Sequence, residues 1–176
     1  RLVKQGVPTE HIIDLSVIGE HNISNALSVI ALSLHYNISM EDIKKGLLAF
    51  KGTERRFQVK GRFNGVTVVD DYAHHPTEIT ATLQAAKNYP HNHLWCVFQP
   101  HTYTRTHALF NDFVEELSKA DVLVLAEIYA ARERNTIGIS SAHLAEKIPG
   151  STYCETLPEV TEFLRNTVRE GDVVLT

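Results

Sequence analysis

The sequence predicts an α/β fold, a mostly parallel sheet with helices on both faces, preceded by a short helical segment. Two observations predict it. Beyond residue 52, continuous apolar runs such as Leu94-Trp95-Cys96-Val97-Phe98 alternate with amphipathic stretches of helical period. Strands without polar alternation are buried on both faces, which is the habit of parallel sheets between helix layers. Before residue 52 only helical periodicity is found, and Lys51-Gly52-Thr53 reads as a breaker, so domains are expected at 1–51 and 52–176.

Taken in order, Ile23, Ala26, Leu27, Ile30, Ala31 and Leu34 follow the i, i+3, i+4, i+7 rule and predict a half-buried helix over 22–36. Ser39 is a suitable N-cap, Glu41 and Asp42 favour a first turn, and Ile43, Leu47 and Leu48 form the apolar face of a second helix. Phe57, Val59, Gly61 and Phe63 then alternate with polar residues; Asn64-Gly65 signals a hairpin, with 66–69 as the return strand. Pro76 and Glu78 open a helix over 76–87 that turns Ile79, Leu83 and Ala86 inward. There follow a strand at 93–98, a helix at 106–119 with Leu109, Phe110, Phe113 and Leu117 on one face, and a strand at 121–128. A helix at 141–148, a strand at 152–154, a helix at 158–169 and a strand at 172–175 complete the series. The chain opens without methionine and closes on an emerging strand, so it is expected to be part of a longer protein.

Composition narrows the function classes. A net charge of -4 gives no general attraction to nucleic acid. No run approaches the ~20 apolar residues of a membrane helix, and residues 1–14 lack the layout of a secretion signal. Cys96 and Cys154 have neither a CxxC partner nor ligand spacing, as expected of reduced thiols in a cytoplasmic protein.

In such a sheet, ligands bind beyond the carboxyl ends of the strands, which singles out 70–76, 99–106 and 127–138. Asp70-Asp71-Tyr72-Ala73-His74-His75-Pro76 places two carboxylates and two imidazoles at a helix start, where anions are favoured. The alternative is that Asp70 caps backbone N–H groups while the histidines are solvated; no third ligand accompanies them, so no metal is assigned. Gln99-Pro100-His101-Thr102-Tyr103-Thr104-Arg105-Thr106 offers an imidazole and a guanidinium suited to a carboxylate, or else a polar loop with a capping threonine. Residues 127–133 mix charged and aromatic side chains, and a solvated loop is the plainer reading. Asn22 and Asn25 share one side of a helix start, where two carboxamides suit the edge of a base such as adenine, or Asn22 caps the helix. Arg55-Arg56 reads as a surface basic pair.

The motifs Gly19-Glu20-His21-Asn22-Ile23-Ser24-Asn25-Ala26, Gly52-Thr53-Glu54-Arg55-Arg56-Phe57 and Asp70-Asp71-Tyr72-Ala73-His74-His75-Pro76-Thr77-Glu78 occur in that order. With Gln99–Thr106 and Ile128-Tyr129-Ala130-Ala131-Arg132-Glu133, they resemble the Mur ligase family of peptidoglycan synthesis. The resemblance implies that 1–51 is the end of a central ATPase domain and 52–176 most of a Rossmann-like, amino-acid-binding C-terminal domain, with the N-terminal domain and the rest of the central one as its missing partners. It implies ATP with Mg2+, UDP-N-acetylmuramate and L-alanine as ligands, the magnesium held mainly outside this chain. It assigns Asn22 and Asn25 to adenine, Arg56 to the ATP phosphates, Asp71 to the ribose, and His74 to the reacting phosphate. His101, Arg105 and Thr102 fall to the incoming L-alanine; many relatives carry a second arginine where this chain has Thr102, so Arg105 is expected to bear more of the charge pairing. The P-loop pattern GxxxxGK[ST] is not in the sequence, so the chain alone is expected to be inactive. The competing readings are a ligase of the same family that recycles murein peptide, and a non-catalytic nucleotide-binding module. A dehydrogenase would need GxGxxG, which is absent.

Overall fold

The structure, a computed structural model, describes residues 2–176. The chain forms two compact units that divide between Glu54 and Arg55.

In the first unit, β1 (Val3–Lys4) and β2 (Val7–Pro8) make an antiparallel hairpin that the sequence reading did not anticipate. Helices α1 (Glu20–His35) and α2 (Met40–Ala49) follow. The Ser39 hydroxyl accepts the Asp42 amide at 3.1 Å, so the expected N-cap is in place. The apolar stripe of α1 is only half covered. Ala26 and Ile30 are buried, whereas Ile23, Leu27 and Leu34, expected inward, are exposed, as is Leu48 on α2. A second helix and a two-residue hairpin offer too little apolar surface to cover them.

The second unit carries β3 (Gln58–Phe63), β4 (Val66–Asp70), α3 (Pro76–Lys87), β5 (Leu94–Phe98), α4 (Tyr103–Ala108) and α5 (Phe110–Leu117). They are followed by β6 (Val122–Ala126), α6 (Ser141–Lys147), β7 (Thr152–Cys154), α7 (Leu157–Thr167) and β8 (Val173–Leu175). Six strands lie in the order β3-β4-β8-β5-β6-β7, with only β3 antiparallel to its neighbour. Asn64 and Gly65 both have positive φ, 49° and 80°, which builds the tight hairpin turn that their dipeptide foretold. A bulge between Val59 and Gly61 interrupts the alternation on the edge strand. The helix expected at 106–119 is two helices, α4 beginning at Tyr103 and α5 at Phe110, because Leu109 (φ -109°, ψ 20°) breaks the run.

Each buried strand sorts its side chains by period two. Leu94, Cys96 and Phe98, with Leu123, Leu125, Val173 and Leu175, face Leu83, Phe113, Leu117 and Leu144 of α3, α5 and α6. Trp95, Val124, Ala126 and Val174 face Val160 and Phe163 of α7 on the other side. Both faces are therefore covered, as the apolar runs required. Burial pushes the Cys96 thiol up to about 12, so it behaves as a small hydrophobe.

At the amino-terminal edge of the sheet, the Asp172 carboxylate is 2 % exposed and ties the central strands together. It accepts Trp95 Nε1–H and the Arg169 amide at 2.9 Å each, and the His93 amide at 3.2 Å. Burial opposes ionisation of Asp172, but these donors outweigh it and hold its carboxyl below the usual range. Replacing Asp172 by Ala leaves buried donors unpaired and is expected to cost about 3 kcal/mol, read from urea unfolding followed by the fluorescence of Trp95, the single tryptophan. Because the folded pKa is depressed, this contribution is complete above the unfolded value, about 3.9, and is lost as pH falls through the folded one. The stability gap between wild type and Asp172→Asn should therefore narrow between pH 7 and acid; an unchanged gap contradicts this account.

Candidate functional site at the carboxyl edge of the sheet

Because β4, β5 and β6 run parallel to β8 or to each other, the loops that follow them leave from one edge. β8 lies between β4 and β5, so the Asp71 turn and the 99–105 segment start two strand spacings, about 10 Å, apart.

After β4, it is Asp71 that caps backbone N–H groups, whereas the sequence reading offered Asp70 for that part. Its Oδ2 accepts the Phe57 amide at 2.7 Å and its Oδ1 the Ala73 amide at 2.8 Å. Each oxygen keeps a further lone pair for a ligand hydroxyl. Asp70 instead lies 3.6 Å from Arg55 Nε, and the Arg55 guanidinium sits 4.6 Å from the centre of the Tyr72 ring. His75 is the N-cap of α3, its Nδ1 accepting the Thr77 amide at 3.3 Å. His74 Nδ1 stands 2.9 Å from the Tyr72 carbonyl, which can only accept, so Nδ1 carries the proton and Nε2 is the nitrogen left for chemistry.

Glu78, in the first turn of α3, gathers two of the expected site residues. Its carboxylate accepts the His74 amide at 3.0 Å, lies 3.6 Å from His74 Nδ1, and pairs with Arg56 Nη1 at 3.7 Å. Partial burial raises its pKa, but the His74 amide and the charges of His74 and Arg56 outweigh that and leave it below the ordinary carboxylate range. Glu78 thus brings Arg56 and His74 to one carboxylate.

After β5, the backbone at Thr102 adopts φ 69° and ψ 143°. A β-branched residue with positive φ is strained by about 1–3 kcal/mol. Surrounding bonds impose it: the Thr102 amide donates to the Tyr129 carbonyl at 2.9 Å, and the Thr102 carbonyl accepts the Thr106 hydroxyl at 2.7 Å. His101 pairs with Tyr129 across the loops, their rings 5.6 Å apart, and His101 Nδ1 is buried with no hydrogen-bond partner among the described residues. Arg105, expected in a loop, lies inside α4 and is half-buried. Among the described residues no carboxylate pairs with it within 4.0 Å, so its fork is open to an anionic ligand.

The segment after β6 is not merely solvated. Glu127 Oε1 accepts the Ile128 and Ser141 amides at 2.7 and 3.2 Å, and Oε2 accepts the Tyr153 hydroxyl at 2.6 Å. Burial and Glu127 together push the Tyr153 phenol up, so it stays a donor. Further along, Glu133 reaches back to Thr104. None of Glu78, Glu127 and Glu133 is given a site role by the sequence, where Glu78 is read only as part of a helix start.

In the first unit, α1 begins at Glu20 with Gly19 as N-cap, so Asn22 does not cap it. The Asn22 side-chain amide donates to the Ile18 carbonyl at 2.7 Å, and Asn25 donates to Asn22 Oδ1 at 3.4 Å, which puts the two carboxamides on the same side as expected. Among the described residues, no group of three or more His, Cys, Asp or Glu side chains could hold a metal ion. No step is therefore assigned to a metal held by this chain.

Residues 55–176 match the family model described as Mur ligase, glutamate ligase domain. The chain belongs to the Mur ligase family. It is 54% identical over 168 residues to the UDP-N-acetylmuramate–L-alanine ligase of Lachnospira eligens, which covers 93% of this chain and 37% of the relative. The crystal structure of a UDP-N-acetylmuramate–alanine ligase from Thermotoga maritima superposes with a TM-score of 0.76 at 30% identity, over 93% of this chain and 35% of that one. A murein peptide ligase from Psychrobacter arcticus gives 0.63 at 26% identity, over 93% and 35% respectively. The chain spans about 37% of the length of the curated relatives it matches.

Glycine at 102 adopts the observed dihedrals without a Cβ clash. Thr102→Gly is therefore expected to stabilise the second unit by about 1 kcal/mol, measured by urea unfolding; a loss of stability would show that the threonine is not strained.

Proposed function

We propose that this chain is the C-terminal part of an ATP-dependent ligase that joins L-alanine to UDP-N-acetylmuramate. Residues 1–51 are the end of its central ATPase domain, and 52–176 belong to its amino-acid-binding domain. The observation that carries the reading is that Asp71, His74, His101 and Arg105 leave from the same edge of a parallel sheet, in a chain 54% identical to a ligase of that name.

In this reading the muramoyl carboxylate attacks the γ-phosphorus of ATP, ADP leaves, and an acyl phosphate remains. The amine nitrogen of L-alanine then bonds to the acyl carbon, phosphate departs, and the nitrogen gives up its proton. Negative charge gathers on the phosphoryl oxygens in the first step and on the acyl oxygen and departing phosphate in the second, and fixed cationic groups lower its energy. Arg56 is the cationic group of this chain suited to that task, and His74, gathered beside it by Glu78, is placed to donate to the phosphate when Nε2 carries a proton. Asn22 and Asn25 take the adenine edge and Asp71 the ribose hydroxyls. Arg105 takes the carboxylate of L-alanine bidentately, with His101 and Thr102 beside it; with threonine at 102, Arg105 carries more of the charge pairing there. The protein is cytoplasmic in this reading and magnesium is bound mainly by parts of the ligase outside this chain.

ADP release by the full-length ligase carrying this chain tests the proposal, with UDP-N-acetylmuramate and L-alanine, glycine, L-serine or a murein tripeptide. L-Alanine should be preferred, and turnover of the tripeptide in place of L-alanine, with UDP-N-acetylmuramate still required, would favour the recycling ligase instead. Arg105→Ala should raise the KM for L-alanine about tenfold or more, the worth of a charge-assisted hydrogen bond; an unchanged KM removes Arg105 from the amino-acid pocket. The 1–176 chain by itself should release no ADP above background.

A further inference from the structure

Helix α4 starts without a side-chain cap. Thr102, in the N-cap position, makes no capping hydrogen bond through its side chain, although the first N–H groups of a helix need partners from elsewhere. Glu133, on the loop after β6, supplies one. Its Oε2 accepts the Thr104 amide at 2.9 Å, and its Oε1 accepts the Thr104 hydroxyl. Two oxygens on the backbone and side chain of one residue fix direction as well as distance. The next residue is Arg105. Glu133 is itself braced by a turn, its amide donating to the Ala130 carbonyl at 2.9 Å and Ala131 adopting φ 52°. On the other side of the strained Thr102, His101 is held by its bridge to Tyr129. The loop after β6 therefore grips 101–104 at both ends.

We propose that Glu133 is a positioning residue: by anchoring Thr104 it holds the first turn of α4 and so aims the Arg105 guanidinium at the carboxylate of the incoming amino acid. This rests on the reading of Arg105 given under the proposed function. Glu133 touches no reacting atom and is not a catalytic residue. The Thr104 hydroxyl and amide hold its carboxyl below the ordinary range, so it is a full acceptor at neutral pH.

The test uses the full-length ligase with Glu133→Ala, Glu133→Gln, Thr104→Val, the double variant Thr104→Val/Glu133→Ala, and Arg105→Ala. Glu133→Ala should raise the KM for L-alanine about tenfold, leaving kcat and the KM for ATP within about twofold of wild type. Glu133→Gln, which keeps one carbonyl acceptor, should recover most of the loss. The double variant should be no worse than the worse single one, because both remove the same contact. Amide hydrogen exchange over 103–106 should quicken about tenfold in Glu133→Ala, with the melting temperature of the whole protein little changed. Unaltered exchange overturns the inference whatever the substrate is. Quickened exchange with an unchanged L-alanine KM, while Arg105→Ala raises it, also overturns it, as does a parallel loss in every kinetic constant. If Arg105→Ala itself leaves the L-alanine KM alone, the reading of the amino-acid pocket fails, and this inference falls with it.

Discussion

Between β4 and β5 lies a space that β8 fills, and the ladder bonds of Val173–Leu175 to both neighbours make one sheet of two groups of strands. The rest of the second unit depends on that insertion. It sets the distance between the turn at Asp71 and the segment carrying His101 and Arg105. It also supplies Val173 and Leu175 to one core layer and Val174 to the other, so each helix layer packs on a continuous surface. Asp172, one residue before the strand, fixes its entry by binding His93 and Trp95 at the start of β5.

At the opposite edge, carboxylates organise the loops rather than ornament them. Asp71 ties the turn after β4 to Phe57, Glu78 collects Arg56 and His74, Glu127 fastens the loop after β6 to α6 and β7, and Glu133 grips Thr104. Each acts mainly by accepting backbone N–H groups in loops that have no ladder partners of their own. Such fastening keeps unlike segments in register while leaving Arg105 without an acidic partner among the described residues. The Tyr129 carbonyl and the Thr106 hydroxyl in turn hold Thr102 in a conformation that a free chain would avoid. The cationic groups expected to meet phosphate and carboxylate are thus held by neighbours that are neither substrate nor metal.

Local chemistry made much of this legible. Asn64-Gly65 sets its own turn, Pro76 with Glu78 fixes the start of α3, and the apolar runs at 94–98 and 123–126 announce strands buried on both faces. The failures have a common source in contacts that are distant along the chain. The start of α4 is governed by Glu133, some thirty residues on by the spacing of Thr104 and Glu133, so periodicity placed it at Thr106 and left Arg105 in a loop. The break at Leu109 likewise has no proline or glycine to mark it. Between Asp70 and Asp71 the sequence offers no choice, because one partner of the capping carboxylate, the Phe57 amide, lies on the far side of the β3–β4 hairpin. On α1, Leu27 and Leu34 obey the helical period, yet period reports which face is apolar and not whether anything covers it.

The position of β8 also bears on how the second unit assembles. Val69 pairs with Leu175 and Cys96 with the same residue, so contacts at the middle of the sheet join segments that are remote in sequence. Emerging from the ribosome, the hairpin β3–β4 and the β5–β6–β7 ladder can each form early, but neither can be welded to the other until β8 has been synthesised. Until then, β4 and β5 both present unpaired edges to the cell, and protection of those edges during synthesis becomes a requirement that the paired sheet no longer displays.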